Sequence, residues 1–63
     1  MNSKDHIEEL LAKNDKAIQQ TEEGLRGIRE VYPRRYSLHS EKQDELIKYY
    51  KERCKLLSQL AKN

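Results

Sequence analysis

Val31-Tyr32-Pro33-Arg34-Arg35-Tyr36-Ser37-Leu38-His39-Ser40 divides the chain, and Pro33 within it is the only proline in 63 residues. Proline disfavours the helical region for the residue before it, so a helix arriving from the N-terminal side ends near Tyr32. Ser40 is placed to cap a second helix. Gln43 lies three residues on, as in a capping box, and Glu41, Asp44 and Glu45 bring negative charge to the first turns. Working outward from this stretch, the sequence predicts helix 1 over about 4–32, a loop over 33–39 and helix 2 over about 40–61. Ser3 is the expected cap of helix 1, with Asp5, Glu8 and Glu9 behind it.

Apolar spacing supports the division. In helix 1, Ile7, Leu11, Asn14, Ile18, Thr21, Leu25, Ile28 and Tyr32 alternate steps of four and three, a heptad seam with two polar members. In helix 2, Ile47, Tyr50, Cys54, Leu57 and Ala61 step in the same way, and Leu46, Arg53 and Leu60 widen the stripe. A stripe that wide suits a helix touching more than one neighbour. Folding the helices antiparallel pairs Leu25 with Ile47, Thr21 with Tyr50, Ile18 with Cys54, Asn14 with Leu57 and Leu11 with Ala61. The expected fold is therefore all-α, an antiparallel two-helix hairpin. Pairs at i,i+4 (Glu9–Lys13, Glu22–Arg26, Asp44–Lys48) support the helices without deciding the fold. Gly24 and Gly27 are the weak points of helix 1, and the heptad phase carried across both favours an unbroken helix.

Size and composition bound the function. Charged residues make up 38% of the chain, yet the net charge is only +2, which with the apolar periodicity argues against disorder. No apolar run approaches the length of a membrane span, and no short apolar region follows the N-terminal Met, so neither membrane insertion nor secretion is expected. A single cysteine cannot make an internal disulfide framework; Cys54 on the seam reads as a small buried hydrophobe in an intracellular, cytoplasmic protein. A core of this size leaves a monomer near zero net stability. Dimerisation into a four-helix arrangement is the expected remedy.

Candidate contact residues follow from what the seams leave over. Leu10, Tyr49 and Leu56 lie beside or away from the paired positions and are the expected outer apolar surface. Residues 26–39 hold Arg26, Arg29, Arg34 and Arg35 against one acid, Glu30, interleaved with Tyr32 and Tyr36. Arg34 and Arg35 at this hairpin tip are expected to steer an acidic protein partner, with nucleic-acid binding as the alternative use of the same patch. No metal-ligand spacing, cofactor motif or catalytic constellation is present. His39 and Ser40 are adjacent, and capping explains Ser40 without a triad. The expected function is a small non-enzymatic protein–protein interaction, oligomerisation or regulatory module acting through an amphipathic helical face.

Ser40-Glu41-Lys42-Gln43-Asp44-Glu45-Leu46-Ile47-Lys48-Tyr49-Tyr50 carries an alternative. At Ser40, Asp44, Leu46, Ile47 and Tyr50 it resembles the Ser-Gln-Glu-Leu-Asp signature, and the Leu-Ile and aromatic after it, of the sporulation-regulatory aspartyl-phosphate phosphatases, which are short two-helix proteins. It departs from that signature at Glu41, Lys42 and Gln43. The resemblance implies that Ser40 and Asp44 would face a phosphorylated response regulator and assist hydrolysis of its aspartyl phosphate.

Overall fold

A computed structural model describes residues 3–62, and among them there are two helices and no strand. Helix α1 runs Ser3–Val31 and helix α2 runs Tyr36–Lys62. They pack along their lengths as a hairpin of 47 × 15 × 12 Å. Helix α1 passes through Gly24 and Gly27 without a break, and neither glycine has a positive φ. The expected cap at Ser3 lies outside the described side chains.

The turn is tighter than the sequence predicts. Arg35 N–H donates to the carbonyl of Tyr32 at 3.1 Å, closing a four-residue turn with Pro33 at its second position. With no positive φ anywhere in it, this is a type I turn, for which proline's fixed φ is suited. The N–H groups of Leu38 and His39 both donate to the Arg35 carbonyl, so α2 begins at Tyr36, one turn before Ser40. The loop expected over 33–39 is thus replaced by Tyr32–Arg35, and Ser40 is an exposed residue inside the helix, not its cap. The added turn contains Leu38 and His39, both half-buried. His39 Nε2 donates to the Tyr32 carbonyl at 3.0 Å and satisfies an acceptor at the end of α1.

The short turn also resets the pairing of the helices. The hairpin's midpoint falls between Pro33 and Arg34 instead of near Tyr36, so facing positions on α2 move by four or five residues. At 100° per residue this turns α2 by about a right angle, one position along the sequence. On α1 the buried and half-buried stripe follows the expected seam through Ile7, Leu11, Asn14, Ile18, Thr21, Leu25 and Ile28, but Tyr32, expected to close it, lies past the helix and is exposed. On α2 it is His39, Lys42, Leu46, Tyr49, Arg53, Leu56 and Leu60. Contacts across the seam agree. Asn14 Nδ2 donates to the carbonyl of Tyr49 at 3.0 Å, Arg53 pairs with Asp15, and a Cβ on Gly24 would lie 3.7 Å from Lys42 Cε.

The core is thin. Ile7, Ile18, Leu25 and Leu56 are its buried apolar members, joined by the polar Asn14 and Thr21, and no side chain is fully enclosed. Thr21 is satisfied within its own helix, its hydroxyl donating to the Ala17 carbonyl at 2.8 Å. Asn14 is satisfied on one side only, since its Oδ1 is buried without a donor. None of the three expected i,i+4 pairs closes among the described residues. Lys42–Glu45 and Arg53–Asp15 do instead.

Candidate functional site

The rotation of α2 by about a right angle brings Tyr49 and Leu56 inward and carries Ile47, Tyr50 and Leu57 outward relative to expectation. Leu56 is buried in the seam and Tyr49 is half-buried there, so neither offers an outer surface. Leu10 is half-buried as well, and it shares a shallow groove between the helices with Lys13, Asn14, Ala17, Tyr49 and Glu52. Conversely, the stripe expected inside is on the surface. Ile47 is 52% exposed, Tyr50 46% and Leu57 45%, and Cys54 and Ala61 between and beyond them are exposed too. The reading of Cys54 as a buried hydrophobe is corrected with them.

This outer face of α2 keeps heptad spacing and is about half exposed. Its five positions repeat at steps of three and four over about 21 Å of helix. A single neighbouring helix covers only part of the circumference of α2 and cannot bury two such stripes. The inner stripe is filled by Leu46, Tyr49, Leu56 and Leu60 together with the stem of Arg53, whose guanidinium reaches Asp15. The outer one, Ile47, Tyr50, Cys54, Leu57 and Ala61, stays exposed.

Polar groups frame the apolar face. On the α1 side, Tyr50 donates its hydroxyl to Glu22 Oε1 at 2.7 Å, which fixes the ring beside Leu57 and Ile47. That hydrogen bond to Glu22, then partial burial and the negative charge of Glu22, raise the Tyr50 hydroxyl above the ordinary tyrosine range, against the opposing charge of Arg53. On the far side, Lys48, Lys51 and Lys55 line an open groove with Asp44, Ile47 and Glu52. None of these three lysines forms an ion pair among the described residues.

The hairpin tip is a second, separate surface. Arg34 and Arg35 are both exposed, as are Val31, Tyr32 and Tyr36 at 67%, 48% and 72%. Arg35 lies over the Tyr32 ring, 5.3 Å from its centroid, and Tyr36 meets His39 edge-on at 5.9 Å. The structure therefore brings Arg34 and Arg35 together at the turn. They stand roughly 35 Å from Leu10, given 1.5 Å per residue, so the expected contact residues do not form one site. Ser40 and Asp44 are exposed one turn apart on α2. Among the described residues no group of three His, Cys, Asp or Glu side chains gathers as a metal site, and no helix is long and apolar enough to cross a membrane.

Comparison of the chain with protein-family models, with curated proteins and with solved structures gave no match.

Proposed function

We propose that this chain is a small non-enzymatic interaction module, and that the outer face of α2 is its working surface. The observation that carries this reading is the exposed 3–4 stripe of Ile47, Tyr50, Cys54 and Leu57 on a hairpin with so thin a core. Burying each exposed half of such side chains yields on the order of 1 kcal/mol per residue, enough together to matter to a marginal fold. The natural occupant of a heptad stripe is another amphipathic helix laid along it. Two hairpins meeting through it would complete a four-helix arrangement. The arginines of the tip, unpaired among the described residues, give such a module a positive end that speeds encounter with an acidic protein surface. The exposed free thiol of Cys54 suits a reducing, cytoplasmic setting.

The test is a photo-crosslinking residue placed at position 57, compared with one at position 19 on the polar face of α1, in cells producing the protein. Position 57 should give discrete protein adducts that disappear when Tyr50 is replaced by Glu. Equal, diffuse labelling from both positions would remove the outer face of α2 as a docking surface.

A further inference from the structure

We infer that the occupant of this face is a second copy of the chain, with the two α2 helices packed antiparallel through Ile47, Tyr50, Cys54 and Leu57. The inference rests on the helix-docking reading above and names the partner. Its first support is area. The chain exposes 5161 Å². A compact monomer of 7.5 kDa exposes about 4,250 Å² by the size scaling of folded proteins. The excess, roughly 900 Å², is close to the ~800 Å² that each partner contributes to a standard interface. A rod of 15 × 12 Å cross-section has no way to recover that area by itself.

Layer by layer, the stripe complements itself in only one orientation. Antiparallel, Ile47 meets Leu57 of the second copy and Tyr50 meets its Cys54, and the same two contacts recur by symmetry. Ala61 falls against Gln43. Each layer then joins a large side chain to a smaller one or two of middle size, which is how close packing is reached without voids. Parallel, Tyr50 would meet Tyr50 and Cys54 would meet Cys54, giving an overfilled layer beside an underfilled one.

Charge selects the same orientation. The N-terminal part of α2 carries Glu41, Asp44 and Glu45, and its last turn carries Lys62. Antiparallel packing sets Asp44 near Lys62 of the second copy and opposes the helix dipoles. It also sends the two arginine-rich tips to opposite ends, whereas a parallel pair would gather eight Arg side chains at one end. Lys51 meets its own copy and Lys48 comes level with Lys55 of the second copy, all at the rim, where water and salt screen the repulsion.

The experiment uses the full chain. Ile47→Cys and Leu57→Cys are each made with Cys54→Ala, checked for helicity by circular dichroism, and oxidised mildly alone and as an equal mixture. The expected result is a disulfide-linked dimer from the mixture and little from either variant alone. Sedimentation of the unaltered protein should show a species of twice 7.5 kDa, with Leu57→Glu raising its dissociation constant at least about tenfold. Self-linking of each variant by itself would overturn the antiparallel arrangement. A 7.5 kDa species at every concentration would overturn the second copy as occupant. Were that monomer still to give foreign adducts from position 57 in cells, the docking face would stand with a different partner; no adducts would sink both.

Discussion

Asn14 shows how one residue can hold a structure in place at a cost. It is 5% exposed, donates Nδ2 to the Tyr49 carbonyl and leaves Oδ1 without a donor. A buried acceptor in that state costs about 1–3 kcal/mol, more than one neutral hydrogen bond returns. Replacing Asn14 with Leu removes both the bond and the orphan, and the Tyr49 carbonyl sits within α2, where the helix supplies a donor. The expected outcome is a stability gain of about 1 kcal/mol in urea unfolding, with less uniquely dispersed amide resonances if Asn14 fixes the register. Tyr50 makes a pH-dependent contribution instead. Its hydroxyl titrates above the usual tyrosine value, so the Glu22 contact stabilises the fold fully below pH ~10 and is lost as pH climbs through the raised value. Tyr50→Phe should delete the latest part of the tyrosinate absorbance rise and flatten the stability profile at that alkaline end. An unchanged titration curve would mean that the Glu22 contact does not form in solution.

At the scale of the element, the turn decided what the spacing could not. Both helices, their antiparallel course and the inward stripe of α1 from Ile7 to Ile28 were legible, because heptad spacing reports a helix face directly. On α2 the spacing gave one seam, 47/50/54/57/61, widened by Leu46, Arg53 and Leu60, with Tyr49 and Leu56 set apart from it. Which stripe faces inward was not legible. Stripes 46/49/53/56/60 and 47/50/54/57/61 are one position apart, and the choice between them depends on the length of the turn. The capping pattern at Ser40 predicted a long loop; Pro33 in a type I turn made a short one. The consequence is that Tyr49 and Leu56 were assigned outward when the hairpin uses them within, whereas Leu10, on α1, is half-buried at the edge of a groove between the helices. Ser40 supplies the check. As a cap its replacement by Ala would cost about 1 kcal/mol, whereas an exposed residue inside the helix should change stability by less than about 0.5 kcal/mol in either direction. A larger loss on thermal unfolding would place the start of α2 back at Ser40.

For the molecule as a whole, size and shape make folding and association one problem. Four buried apolar side chains and two buried polar ones do not give a 63-residue chain much margin over the entropy of ordering it. Ile47, Tyr50 and Leu57 of α2 then stay about half exposed on a rod too slender to cover them. If that surface closes against a second copy, the folded dimer is linked by mass action to two unfolded chains, and the melting temperature must depend on concentration. For a protomer this small, each 1.4 kcal/mol gained from a tenfold rise in concentration, shared between two chains, is worth roughly 3–5 °C. A hundredfold concentration series should therefore raise the midpoint by several degrees, and Leu57→Glu should lower it at every concentration. A midpoint that stays fixed across the series, in a chain that still melts cooperatively, would show that the hairpin supports itself and that the outer face of α2 contributes nothing to its folding.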